Sequence, residues 1–421
     1  MASCLKTLLS RKTTLFLCGF FFFLLIYTLT RNTVDYLNFW RIAREAVYGN
    51  IDLYKKYTAF SYPPFFYNII IFFGIFPVKL SLAFWFLFNV IVLSASVAMI
   101  LKLLYSEDTF PKTDPKSWLK VFLPFFLALG IIADNLYLGQ ANIMVFFLCV
   151  SAVFLLENKK PLAAGILIAM AAAVKLTPAF FLIYFIYRRE WKALLGALIG
   201  LPVFFFLVPS LFYGFGRAWY LSGEFLKLVV LPFFRNDAII RETVYYTHPN
   251  QSLDAFLIRH FTVLGKVNYP GFLHNALDPA FYTQAQMKTA GLVVKAFLLL
   301  LSGAALLHTR KFKPVAKFEY PVIFFLILYI SPSSWLSHYI SVLFAYYTSA
   351  AYITNEYSDK TGRAVLLSCL IFAFVATSTG LNSFMQSFSG MFIGNFILYL
   401  GMVFVCFKET YKNTLQAHPE K

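Results

Sequence analysis

A chain of 421 residues that is 60% hydrophobic, 20% aromatic and only 13% charged has no polar exterior to offer water, which excludes a soluble globular protein. The formal charge of +17 does not argue for a nucleic-acid binder, because the 36 Lys and Arg sit in short clusters between apolar runs. The five cysteines are scattered without a CxxC pair, which argues against a disulfide framework or a thiol metal site.

In chain order, the first apolar run, 14–30, follows Arg11 and Lys12 and has no small-residue cleavage site after it, so it reads as a retained signal anchor. Further long apolar runs fall near 80–104, 118–133, 142–156, 161–174, 178–187, 192–213, 287–307, 319–331, 339–354, 364–380 and 389–407. With the amino terminus inside, the basic clusters (Lys112 and Lys116, Lys159 and Lys160, Arg188 to Lys192, Arg310 to Lys317, Lys360 and Arg363, Lys408 and Lys412) all lie on the cytoplasmic side. The shorter run 65–76 is read as re-entrant or interfacial, since counting it as a crossing would invert every later loop. Two long segments, 31–64 and 214–286, then lie outside. Residues 36–48 (YLNFWRIAREAVY) predict an interfacial helix with Trp40, Ala43 and Val47 on one face and Arg41, Arg44 and Glu45 elsewhere; 218–234 predicts a second. The predicted fold is thus an all-α polytopic membrane protein, one domain over 1–421, with about 12 spans and two larger outer loops carrying interfacial helices. No internal repeat is visible, which weighs against a transporter of inverted repeats.

Polar residues gather at the outer ends of these spans: Asp35, SYPPFF (61–66), DNLYLGQAN (134–142), AAAVKLTP (171–178), HPNQSLDAFLIR (248–259) and SPSSWLSH (331–338). Each has a structural reading of its own. Asp35 reads as a helix cap or the partner of Arg41 or Arg44, and Asn250, Gln251 and Ser252 read as the cap of a helix starting near Leu253. His338 reads as an interfacial histidine packed beside Trp335, and the prolines of YPP stiffen an extended lead-in to the next apolar run. Lys175 is the sharpest case. A lysine within a span costs about 2.5–3.5 kcal/mol on insertion scales, so it snorkels, pairs with a carboxylate such as Asp134, or anchors an anionic headgroup. Pro178 after it predicts a broken helix. The chain has no GxGxxG or Walker loop, no HExxH, no GxSxG elbow and too few carboxylates for a divalent-metal cage.

Taken together and in this order, an aspartate just after the first span, then SYPPFF, GQAN, VKLTP, NQSL and SPSSW followed by His338, the chain resembles glycosyltransferase family 87 over about residues 31–340. The last two spans carry no matching motif. The resemblance implies a GT-C-type membrane bundle that moves a sugar, mannose in the best-known cases, from a polyprenyl-phosphate donor to a lipid or glycan acceptor hydroxyl. Asp35 would be the general base, with inversion at the sugar. Lys175 and Arg41 would bind the donor phosphate, and Gln140, Asn142, Asn250, Gln251, Trp335 and His338 the substrates. Asp134, a carboxylate beside GQAN that the family pattern does not lead one to expect, is the alternative base. Neither a metal, a cofactor nor nucleic acid is implied; the partners are the donor, the acceptor and membrane lipids. The setting would be the bacterial cytoplasmic membrane with the site facing out. The competing reading is a secondary transporter or flippase for lipid-linked sugars, which would carry charge pairs near midplane and repeat symmetry.

Overall fold

The computed structural model describes residues 11–31, 34–48, 53–56, 62–105, 115–231, 247–262, 282–307, 309, 315–355 and 358–417. Among them the chain is helical throughout, and the only β pairing is an isolated bridge between Thr262 and Tyr282. Five helical stretches are long and apolar enough to cross a membrane: Val78–Leu104, Trp191–Tyr213, Gln284–Leu306, Lys360–Thr379 and Gly390–Tyr411. Two bent helix pairs raise the count to seven if each pair is one span. The protein is a multi-pass integral membrane protein. The expected count of about 12 is larger because helices such as Asn142–Glu157, Pro161–Val174 and Glu319–Ile330 belong to a group of only 10–17 residues. At 1.5 Å per residue these fall short of the roughly 20 residues of a straight crossing.

The chain divides into two compact units, Met1–Ile100 with Ile132–Ile240, and Leu101–Ile131 with Arg241–Lys421. In the first unit, α1 (Arg11–Thr30) precedes α2 (Val34–Tyr48), the predicted interfacial helix. Its buried face is Tyr36, Phe39, Ile42 and Ala43. Trp40 is only partly covered and donates its indole N–H to Phe76 O at 3.2 Å, so the buried stripe is displaced from the predicted one. The run expected as re-entrant or interfacial forms α3 (Pro64–Gly74), 11 residues with Pro64 at its first turn. A proline costs nothing there, since that N–H would have no helical partner. Then come α4 (Val78–Leu104), α5 (Pro115–Leu127), which lies wholly in the second unit, α6 (Leu129–Leu138), α7 (Asn142–Glu157), α8 (Pro161–Val174), α9 (Phe181–Tyr187) and α10 (Trp191–Pro202).

Helices α8 and α10 cross at backbone distance. A Cβ on Gly165 would lie 1.8 Å from Ala193 O, one on Gly196 2.1 Å from Leu162 O, and one on Gly200 2.6 Å from the Ala169 Cβ. Small residues at such a crossing let two helices pack without a solvent-driven hydrophobic force, which lipid does not provide. After α10 the backbone loosens into a π-type turn, Val203–Leu207, and resumes as α11 (Val208–Tyr213). Pro209 has no N–H to give the preceding turn. Ser222, on α12 (Phe215–Phe225), donates its hydroxyl to Phe205 O at 2.7 Å and supplies what the proline cannot. Helix α12, continued by a further turn Leu226–Val230, is the second predicted interfacial helix.

The second unit contains α13 (Leu253–Phe261), α14 (Gln284–Leu306), α15 (Glu319–Ile330), α16 (Val342–Ile353), α17 (Lys360–Thr379), α18 (Ser383–Ser387) and α19 (Gly390–Ala417). Helices α15 and α16 are buried along nearly their whole length and form its core. By contrast, α14 exposes Leu292, Val293, Phe297 and Leu300 on one stripe. An exposed apolar stripe on a long helix is a lipid-facing surface.

Candidate active site

In the first unit an aromatic lock fixes the start of α2. Tyr36 is fully buried, shares a 2.5 Å hydrogen bond with Ser81 on α4, and stacks on Trp85 with ring centroids 5.9 Å apart. Trp85 in turn donates its indole N–H to Gly139 O at 2.9 Å. Gly139 has φ +65°, and a Cβ there would stand 2.6 Å from the Tyr36 Cβ. Only glycine allows this turn to close so tightly on α2. The turn delivers Gln140 to Asp35, and the following α7 delivers Asn142 to the side of Gln140.

Asp35 lies inside the first turn of α2, where a carboxylate is favoured by the helix dipole. Its Oδ2 accepts a hydrogen bond from Gln140 Nε2. The alternative arginine partners are engaged or placed elsewhere. Arg44 donates to Gly74 O at 2.9 Å and lies over the Trp40 ring, while Arg41 is exposed. Six residues along a helix put Arg41 about 9 Å away and about 120° around from Asp35, so α2 does not bring the two together. Burial raises the Asp35 carboxyl above the ordinary carboxylate range; the Gln140 hydrogen bond and the Lys175 charge oppose that rise.

The expected helix break follows α8. The helix ends at Val174, Lys175 is extended (φ −152°, ψ 127°), and the tight turn Thr177–Phe180 leads into α9. The break turns Lys175 toward α7, where its Nζ donates to Asn142 Oδ1 at 2.7 Å and lies 5.9 Å from the Tyr62 ring centroid. Its hydrogen-bonding partner is thus an amide, while the carboxylate that attracts it is Asp35. Asp134, half-buried on α6, is close enough to Asp35 for the two charges to repel. Tyr62, from the SYPPFF motif, stacks on Phe66 at 4.4 Å, and its carbonyl accepts the Tyr54 hydroxyl at 2.9 Å. Ser61 lies outside the described residues. One region of the first unit therefore joins Asp35, Tyr62, Gln140, Asn142 and Lys175, taken from four separate motifs.

The second unit gathers the remaining motifs. Ser252 caps α13 by accepting the Ala255 N–H at 3.1 Å, as its sequence predicts. Asn250 Oδ1 accepts the backbone N–H groups of Ser252 (3.1 Å) and Ser334 (3.0 Å), and its Nδ2 donates to Pro332 O at 3.3 Å. Gln251 donates from Nε2 to His248 O (2.7 Å) and Gln386 O (2.8 Å). Both side chains are buried and knit loops together. Sequence reasoning missed the hub that binds these loops. Arg259 is wholly buried, and its guanidinium donates to Gln386 O, Ser389 Oγ, Thr247 O and Asn250 O at 2.5–3.1 Å. The available signal was an arginine inside the apolar stretch AFLIR, where a charge needs several partners. Trp335, by contrast, is 37% exposed. His338 Nδ1 accepts the Trp335 N–H at 2.9 Å, which leaves the ring proton of the neutral imidazole on Nε2.

Comparison with known proteins bears on this arrangement. The chain is 33% identical over 144 residues, 32% of each chain, to the polyprenol-phosphate-mannose-dependent alpha-(1-2)-phosphatidylinositol mannoside mannosyltransferase of Mycobacterium tuberculosis. It is 29% identical over 230 residues to the protein of the same description in Mycolicibacterium smegmatis, covering 54% of this chain and 46% of that one. The chain thus spans less than half the length of either relative. No solved structure matches it significantly. Glycosyltransferase family 87 matches residues 60–332, a stretch that holds Gln140, Asn142, Lys175, Asn250 and Gln251 and leaves Asp35 and Arg41 before it and Trp335 and His338 after it. That stretch is well over half of the sequence, and the chain belongs to glycosyltransferase family 87.

Proposed function

We propose that the protein is a mannosyltransferase that takes its sugar from a polyprenyl-phosphate donor and attaches it to a hydroxyl of a lipid or glycan acceptor. The observation that carries this reading is a carboxylate, Asp35, and a cation, Lys175, joined through the two amides of the GQAN motif in a chain of family 87. The printed descriptions of the two mycobacterial relatives support the choice of mannose and of a lipid-phosphate donor, and make a phosphatidylinositol mannoside the first acceptor to try.

In this reading Asp35 takes the acceptor's hydroxyl proton as that oxygen attacks the anomeric carbon. The bond from the anomeric carbon to the phosphate oxygen breaks, its electron pair leaves with the polyprenyl phosphate, and the sugar inverts. Charge grows on the departing phosphate, where Lys175 is the group suited to stabilise it. In this reading Trp335 and His338 of the second unit bind substrate; Trp335 is exposed, and His338 carries its proton on Nε2. Asn250 and Gln251 shape that surface from beneath. Arg41, exposed on α2, belongs in this reading to the lipid headgroup surface. The bundle would be of GT-C type with about 12 crossings acting as one transferase domain, in the cytoplasmic membrane of a bacterium, with the site outside. The basic clusters support that orientation.

The test is transfer of radiolabelled mannose from polyprenyl-phosphate mannose to lipid in membranes, comparing wild type with Asp35→Asn at matched expression. Loss of a positioned general base lowers the rate by about 10²–10⁴-fold. Transfer retained by the variant would remove Asp35 from the chemistry and move the role to Asp134.

A further inference from the structure

The amides of Gln140 and Asn142 were expected to meet sugar hydroxyls, yet both have protein partners. Lys175 Nζ donates to Asn142 Oδ1 at 2.7 Å, Asn142 Nδ2 faces Gln140 Oε1 at 3.5 Å, and Gln140 Nε2 donates to Asp35 Oδ2. With Lys175 and Asp35 ionised, the two ends of this chain fix its direction. A lysine ammonium can only donate and an ionised carboxylate can only accept. Each amide between them therefore has its orientation dictated: oxygen toward the lysine, nitrogen toward the aspartate. A flipped amide would set donor against donor at one end or acceptor against acceptor at the other. Asn142 is 5% exposed, and in so dry a place an amide left without partners would forfeit its hydration with nothing in return.

From this geometry we infer that Gln140 and Asn142 are positioning residues, a two-amide relay that ties the Asp35 carboxylate to Lys175 and leaves Oδ1 of Asp35 as the atom that receives the acceptor's proton. Among the described residues only Oδ2 accepts a side-chain hydrogen bond, from Gln140. With Oδ2 engaged, rotation of the carboxylate about its last bond is checked, and a single oxygen is presented in a fixed direction. The spacing Gln-x-Asn suits this task. Gln140 stands on the turn before α7 and Asn142 at its first position, so one short segment supports both links. Gly139 anchors that segment against Tyr36, one residue from Asp35, which keeps donor and acceptor of the last link in register.

The inference rests on the reading of Asp35 as the base, and the experiment separates the two. Steady-state transfer is measured across pH, with donor and acceptor varied, for wild type, Asp35→Asn, Gln140→Leu, Asn142→Ala and the Gln140→Leu/Asn142→Ala double variant. A base must be ionised to act, so activity falls as pH drops through its titration. Removing the Gln140 hydrogen bond withdraws a stabiliser of the ionised form, and the acid limb of kcat moves to higher pH. The relay predicts that shift in both single variants, a kcat lower by about tenfold or more, and a donor KM within about twofold of wild type. It also predicts that the double variant is no worse than Gln140→Leu, because Asn142 acts through Gln140. The near-constant donor KM certifies that the variants are folded; if Gln140→Leu fails to accumulate, Gln140→Asn, whose shorter amide does not reach Oδ2, takes its place. An unmoved acid limb with a raised donor KM and multiplicative losses would make the two amides direct sugar ligands and overturn the relay. Wild-type transfer by Asp35→Asn would overturn the base reading and the relay with it.

Discussion

Lys175 would be costly in lipid, and the chain offsets that cost by ending a helix at it. The extended backbone at Lys175 turns the ammonium out of α8 and onto Asn142, within reach of the Asp35 charge and beside Tyr62. If its task is the donor phosphate, Lys175→Ala should raise the donor KM or lower turnover by about tenfold or more, while the protein still inserts. Kinetics unchanged from wild type would leave Lys175 as a structural ligand of Asn142. Much of this site was legible residue by residue. Asp35, Gln140, Asn142 and Lys175 stand out because a polar group at the end of an apolar run is expensive and therefore conspicuous. What the residues did with one another was not legible: 105 positions separate Asp35 from Gln140, and no local pattern reports their hydrogen bond. Asn250 and Gln251 illustrate the same limit, since a capping motif and a sugar-binding motif have the same composition until the loops they hold are known.

At the scale of elements, the pairing of α8 with α10 matters most, because α8 carries Lys175 at its end. Gly165, Gly196 and Gly200 let the two helices touch backbone to backbone. Gly196→Leu would drive a side chain into Leu162 O, and overpacking of this kind typically costs about 1–3 kcal/mol, more where backbone must move. The expected outcome is a lower thermal midpoint in detergent together with reduced transfer. A midpoint equal to wild type would mean that the crossing is looser than described. Most helix limits followed the apolar runs, as with the run 142–156 and α7 at Asn142–Glu157, but the expected single run 118–133 is divided between α5 and α6, which break at Ala128. The face of α2 was harder. Trp40 was expected on the apolar face with Ala43 and Val47, but its indole N–H needs an acceptor, and the bond to Phe76 O holds it at the margin.

At the scale of the molecule, orientation is the proposition most open to direct test. In a background without the five native cysteines, Ala285→Cys in the large outer segment should react with an impermeant thiol reagent added outside. Asn158→Cys, between α7 and α8, should react only after permeabilisation. Both positions are exposed, so a reversed pattern would invert the topology and put the site inside. The Arg259 hub has a further consequence for how the family boundary is read. The family match ends at residue 332, yet the guanidinium that secures the matched NQSL loop takes two of its four acceptors, Gln386 O and Ser389 Oγ, from beyond that point. Tyr339 and Ser334, which hold the same loop, also lie outside the match. A fragment cut at residue 332 would keep every matched residue and still strand a buried cation. Such a fragment should be degraded or aggregate when expressed, whereas one extended through α19 should accumulate in the membrane. The limit of recognisable ancestry and the limit of cooperative folding are different places in this chain.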